Sequence, residues 1–194
     1  MAQGHGEAGE LDSLLARART GDGGAFAELY GLFARRVLGL CRHMLGSEEA
    51  AEDARSEIFL RAQKAMRTYD ASLPFQSWLL SIASHYCVDQ LRRRKVERRL
   101  FEAAPPEYYE PAATNLSPLA ELLVSEERAR VQAALARLPE RYRLPLVLRY
   151  SSELSYDQIA SALGLSRNHV ATLLFRGKQE LRKVLGGSRK ERVQ

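Results

Sequence analysis

The chain has 194 residues, 45% of them apolar and 27% charged, with 29 Lys plus Arg against 24 Asp plus Glu and a formal charge of +5. That length suits one domain or two small ones, and the composition is that of a soluble globular protein, which excludes a fibre or a wholly disordered chain. The longest uncharged stretch, residues 71–88, carries Gln76, Ser77, Ser81, Ser84 and His85 and is too polar to span a membrane. The start, Met1-Ala2-Gln3-Gly4, lacks the basic and apolar segments of a signal peptide, so the expected location is cytoplasmic.

Nearly every segment reads as helix. Residues 1–10 are Gly-rich and polar, and are expected to be a disordered N-terminus. Leu11, Leu14, Leu15 and Ala18 then recur at helical spacing. After a glycine loop at 21–24, Phe26, Leu29, Tyr30, Phe33, Val37, Leu40, Cys41 and Met44 continue the pattern to Gly46, a C-cap. Ser47 caps the next helix, with Glu48 and Glu49 in its first turn, where the helix dipole favours them. Its buried side is Ala51, Ala54, Ile58, Ala62 and Ala65. Asp53, Glu57 and Arg61 share one polar stripe at i, i+4 and i+8.

Residues 69–74 break the pattern as a loop. The next helix carries Phe75, Trp78, Leu79, Ile82, Ala83, Tyr86 and Leu91 as an amphipathic stripe, and ends in Arg92-Arg93-Arg94-Lys95 with Arg98 and Arg99 close behind. From Leu100 to Glu127 there is no Lys or Arg, and Pro105, Pro106, Pro111 and Pro118 preclude a continuous helix. This acidic stretch is an expected linker over 98–122, with Ser117-Pro118 able to restart a helix. The expected architecture is all-α: two small helical domains, 11–97 and 123–186, then a basic tail over 187–194.

The C-terminal third holds a helix with Val131, Leu135 and Leu138, and a second with Tyr142, Leu146, Val147 and Tyr150 that contains an awkward Pro145. A capping box at Ser155 and Gln158 opens a third. Segment 156–175 has the spacing of a helix-turn-helix. Ala160 is small at the crossing, Gly164 sits at the turn, and Ile159, Leu163, Leu165, Val170 and Leu173 supply the core. The second helix of such a pair enters the major groove. Its outward positions are Ser166, Arg167, Asn168, Ala171, Thr172, Phe175, Arg176 and Lys178. The tail cations Arg182, Lys183, Arg189, Lys190 and Arg192 suit either phosphates or a solubilising end.

Catalytic motifs are missing. The sequence has no phosphate-binding loop, dinucleotide fingerprint or nucleophile elbow. Cys41, Cys87 and the four histidines lack ligand spacing, so neither metal nor cofactor is expected and the cysteines read as buried thiols.

The two halves together resemble a known family. Ala51-Glu52-Asp53-Ala54-Arg55-Ser56-Glu57-Ile58-Phe59-Leu60-Arg61 resembles region 2.2 of bacterial sigma-70 factors. Phe75-Gln76-Ser77-Trp78-Leu79-Leu80-Ser81-Ile82-Ala83 with Asp89-Gln90-Leu91-Arg92-Arg93 resembles regions 2.3 and 2.4. Leu138-Pro139-Glu140-Arg141-Tyr142-Arg143 with Leu154-Ser155-Tyr156-Asp157-Gln158-Ile159-Ala160 is similar to region 4. The short chain matches the extracytoplasmic-function class.

The resemblance implies a non-enzymatic promoter-specificity subunit. Its partners would be core RNA polymerase, through the β′ clamp helices and the β flap, promoter DNA, and an anti-sigma factor. Asp53, Glu57, Phe59, Leu60 and Arg61 would meet the polymerase. Tyr69, Ser72, Phe75, Gln76, Trp78, His85, Asp89, Arg92, Arg93, Arg94 and Lys95 would serve the −10 element, although core packing is an alternative role for Trp78. The outward positions of the second helix of the helix-turn-helix would read the −35 element. The acidic linker would pass along the RNA exit path.

Three departures stand out. His85 replaces the family's usual Asn, Ser56 replaces a usual Gln, and Ala171 and Leu173 stand where basic residues are common. Two other functions compete with this one: a sigma-like adaptor without promoter activity, and a stand-alone helix-turn-helix regulator.

Overall fold

Local hydrogen bonding sets the helix boundaries. Asp22 Oδ1 accepts from the Gly24 and Ala25 amides at 2.9 and 3.1 Å and starts one helix. Ser47 caps another through the Ala50 amide, and Gly46 closes the helix before it by donating to the Arg42 carbonyl. Ser155 and Gln158 form the expected reciprocal capping box. Gly164 holds φ at 63° to make the turn that follows, a conformation side chains resist.

The computed structural model describes the backbone of residues 4–101 and 118–190, with side chains for 9–96 and 127–186. Among these residues the fold is entirely helical: α1 (Gly4–Arg19), α2 (Gly23–Leu45), α3 (Glu48–Ala65), a 3-10 turn (Met66–Thr68), α4 (Phe75–Phe101), α5 (Pro118–Ala136), α6 (Glu140–Tyr150), α7 (Tyr156–Leu163) and α8 (Arg167–Lys190).

Two boundaries differ from expectation. The helix expected to begin near Leu11 reaches back to Gly4, because Glu7, Ala8 and Glu10 are strong helix formers that extend its first turn. The expected linker over 98–122 is shortened at both ends, since α4 runs to Phe101 and α5 begins at Pro118. Residues 102–117, the rest of that linker, lie outside the described residues, as do 191–194 of the expected tail.

Helices α1–α4 enclose one apolar centre, in which Leu29, Leu40, Met44, Ile58, Met66 and Leu79 are almost wholly buried. The same apolar cluster continues through α5–α8, where Leu148, Leu154, Ile159 and Leu174 are almost wholly buried. Each such side chain contributes about 1.5–3 kcal/mol by leaving water. Pro145 stays inside α6 and is buried there. Helix α8 lies so close to α6 that a Cβ on Gly177 would sit 3.1 Å from the Leu146 side chain and 3.3 Å from the Tyr142 carbonyl. Cys41 and Cys87 meet inside the first bundle with their sulfurs 3.8 Å apart. Their mutual hydrogen bond, together with burial, pushes the Cys41 thiol pKa far up.

Candidate nucleic-acid and partner interfaces

The polar stripe of α3 faces solvent as its spacing requires. Arg61 Nε donates to Glu57 Oε1 at 2.8 Å, and its guanidinium lies 4.9 Å from the centre of the Tyr86 ring on α4. Asp53 is exposed beside them, and Leu60 is 51% exposed. Phe59 is different. It is only 4% exposed and packs on Phe26 and Tyr30, with ring centroids 6.3 and 4.6 Å away. It neighbours Ile58 on the inward side of α3, so it is a core residue and not a contact. Tyr30, partly exposed above that ring, joins the rim of this surface and was not singled out from sequence.

The loop before α4 is tightly built. Asp70 Oδ1 accepts from the Ser72 amide at 2.9 Å, and backbone and side-chain bonds to Ser72 hold the Asp70 carboxyl below its usual pKa. Tyr69 is 2% exposed and its hydroxyl donates to the Leu73 carbonyl at 2.5 Å. Phe75 is 3% exposed, wedged among Phe33, Tyr69 and Trp78 at 5.1, 5.5 and 5.5 Å. Both were candidate −10 residues, yet burial inside an aromatic cluster leaves them no face for a base. Trp78 is half-buried on the same cluster, 5.1 Å from Tyr69.

Helix α4 carries the rest. Trp78, His85, Asp89 and Arg92 lie at i, i+7, i+11 and i+14, so they form one stripe, joined at its end by Arg93 and Lys95. His85, Asp89, Arg92, Arg93, Lys95 and the loop residue Ser72 are all exposed. The His85 ring meets the Ser81 carbonyl at 2.8 Å, and Arg92 stands 3.8 Å from Asp89. Two candidates leave the stripe. Arg94 turns back to donate to the Leu45 carbonyl at 3.1 Å, tying α4 to the end of α2. Gln76 donates to the Ser152 carbonyl of the second bundle at 3.0 Å.

In the second bundle α7 and α8 form the expected helix-turn-helix. Ser166 Oγ caps α8 through the His169 amide at 3.2 Å. Val170 and Leu174 are its inward anchors, at 0% and 1% exposure, whereas Leu173, expected in the core, is half-buried. The outward face presents Ser166, Arg167, Asn168, Thr172, Phe175 and Arg176, with Ala171 and Lys178 half-buried at its edges. Phe175 is 62% exposed. Asn168, Thr172, Phe175 and Arg176 lie at i, i+4, i+7 and i+8, one stripe of groove width. Thr172 Oγ1 donates to the Asn168 carbonyl at 3.0 Å, and Arg167 Nε sits 3.2 Å from Asp157.

These two arrangements, a bundle with an exposed polar stripe and a helix-turn-helix, occur in family order. The sigma-70 region 2 family matches residues 29–97, and the sigma-70 region 4 family matches residues 128–181. The chain belongs to the sigma-70 family, in its extracytoplasmic-function class. It is 31% identical to the extracytoplasmic-function RNA polymerase sigma factor SigW of Bacillus subtilis strain 168 over 176 residues, covering 88% of this chain and 94% of that protein. It is 33% identical to the sigma factor SigE of Mycolicibacterium smegmatis over 180 residues, covering 90% of this chain and 68% of that one. Its fold matches that of the sigma factor RpoE of Bartonella quintana, solved with the anti-sigma factor NepR, at a TM-score of 0.71 and 17% identity, covering 83% and 96% of the two chains.

Proposed function

We infer that this chain is an alternative sigma factor that binds core RNA polymerase and directs promoter-specific initiation, with no catalysis of its own. The observation that carries this is the pairing, on one chain and in family order, of the region 2 bundle with a region 4 helix-turn-helix whose outward face is free.

In this reading residues 11–97 dock on the polymerase and act at the −10 element, and residues 123–186 read the −35 element. Asp53, Glu57, Leu60 and Arg61 meet the β′ clamp helices. The α4 stripe serves the −10 strand: Trp78 offers an aromatic edge for a base, and Arg92, Arg93 and Lys95 follow the phosphates. Arg167, Asn168 and Arg176 supply hydrogen bonds to base edges or backbone in the −35 groove. Arg167 must leave Asp157 to do so, which makes Asp157 a competitor for DNA. No helix among the described residues is long and apolar enough to cross a membrane. An anti-sigma factor completes the proposed partner set, supported by the complex in which the similar fold of RpoE was solved.

The test is fluorescence anisotropy on a labelled promoter duplex, with the chain alone and with core polymerase. Weak, salt-sensitive binding alone and specific binding with core polymerase are expected. Equal specificity without polymerase would leave a stand-alone helix-turn-helix regulator.

A further inference from the structure

Cys41 on α2 and Cys87 on α4 belong to none of the surfaces described above. Both side chains are wholly buried, and they stand 46 residues apart in sequence. The Cys87 thiol donates to Cys41 Sγ at 3.8 Å, so a disulfide of about 2.05 Å needs the sulfurs to close by about 1.8 Å.

Each sulfur also has a cation near it. Arg55 of α3 acts on Cys41 through its charge, and Arg143 of α6 acts on Cys87. Arg143 is 7% exposed and Arg55 is half-buried. The Nε–H of each guanidinium is buried without a hydrogen-bond partner among the described residues. A buried donor left without an acceptor is costly, and two of them flank one sulfur pair. A sulfur that carries negative charge is an acceptor for either.

Burial alone keeps thiols inert, because the thiolate is the reactive form. The pair counters this in two ways. A thiolate on Cys87 accepts the S–H of Cys41 and has the Arg143 charge close by. The Cys41 thiol is held protonated, first by its bond to Cys87 and then by burial. Once Cys87 is oxidised its negative charge is gone, and the hold on Cys41 that depends on it goes too. Arg55 remains to favour a thiolate on Cys41.

We propose that Cys41 and Cys87 are a redox couple, in which a peroxide converts Cys87 to the sulfenic acid and Cys41 resolves it to a disulfide between α2 and α4. The Cys87 thiolate attacks one peroxide oxygen, the O–O bond breaks, and the departing hydroxide takes up a proton as water. The Cys41 thiolate then attacks the Cys87 sulfur, the S–O bond breaks, and the second oxygen leaves as water. Two thiols and one hydrogen peroxide thus give one disulfide and two waters. Burial directs the outcome, since a thiol 3.8 Å away traps the sulfenic acid before a second peroxide or a bulkier free thiol can enter. The couple does not depend on the polymerase or promoter assignments.

The experiment treats the reduced full-length chain with excess hydrogen peroxide under native conditions and maps the products by mass spectrometry without reduction. The expected result is a monomeric chain lighter by about two mass units, with the Cys41 and Cys87 peptides linked. The crosslink closes a 46-residue loop and should raise the melting temperature by about 5–10 °C, an increase that dithiothreitol reverses. Single variants test the order of events. Cys87 in Cys41→Ala should be oxidised about tenfold faster than Cys41 in Cys87→Ala, and should proceed to sulfinic acid for want of a partner. Thiols that resist peroxide until the chain is unfolded, disulfides between chains, or sulfinic acid in place of the crosslink in the wild-type chain overturn the proposal. Comparable rates in the two variants overturn the assignment of Cys87 as the attacking thiol. Should either variant fail to fold, the wild-type map decides alone.

Discussion

Glu57→Ala separates a docking stripe from a surface ion-pair ladder. In the folded chain Glu57 holds Arg61 at 2.8 Å, with the two side chains 42% and 48% exposed. A pair this wet contributes about 0.3–0.5 kcal/mol. Arg61 keeps its place over the Tyr86 ring, an interaction of about 0.5–1 kcal/mol that the substitution leaves intact. Stability should therefore fall by less than about 0.5 kcal/mol, a melting shift of about 1–2 °C for a chain of this size. Affinity for core polymerase should fall much further, by about tenfold or more, since a charged contact inside an interface is worth at least about 1.4 kcal/mol. The assay is competition for labelled core polymerase beside a thermal melt. Glu180→Ala, which breaks a comparable α8 pair with Lys183 at 2.7 Å, is the control and should leave the affinity unaltered. An affinity within twofold of wild type for Glu57→Ala would refute the reasoning and leave the stripe as ordinary surface.

Other outcomes follow from the same geometry. Arg167→Ala and Asn168→Ala should each weaken holoenzyme binding to a −35 duplex by about 10–100-fold and relax the preference at one base pair, as seen in a selection over randomised −35 sequences. Lys178→Ala should weaken all sequences alike and lower the salt slope by about one. Phe59→Ala should cost about 3–5 kcal/mol of stability through the lost contacts with Phe26 and Tyr30, leaving the polymerase affinity of the folded fraction unaltered, as calorimetry and titration would report. Burial holds the His43 pKa below its usual 6.5, so the fold favours the neutral ring. Stability that is complete above that value should decline as pH falls through it, because the unfolded chain takes up the proton first. His43→Gln should flatten the melting-temperature decline between about pH 7 and pH 5, and equal slopes would remove His43 from the pH dependence of stability.

Local chemistry was legible in the sequence, and long-range chemistry was not. Ser47, Gly46, Ser155 with Gln158, and Gly164 were readable as helix ends because a cap acts within four residues of itself. The helix-turn-helix was readable for the same reason, and so was the exposed stripe of Asp53, Glu57 and Arg61. Phe59 was misplaced because its environment is set by Phe26 and Tyr30 on α2, a contact no spacing reveals. Tyr69 and Phe75 sit in a loop and a first turn, positions that suggest exposure, but tertiary packing against Phe33 and Trp78 claims both. Arg94 belonged to a cationic run, yet the Leu45 carbonyl lies within its reach. The packing of α7 on α4 left one sign, the uncharged residues 75–88, which fit a helix covered on two sides better than a helix with one wet face.

Run-off transcription with purified core polymerase on fragmented genomic DNA from the source organism tests the central claim most directly. Wild-type chain should give discrete start sites, and Asp53→Ala combined with Glu57→Ala should abolish them while the melting temperature stays close to wild type. The absence of discrete start sites with a wild-type chain that binds core polymerase would contradict promoter direction and leave an adaptor that has kept the fold without the function.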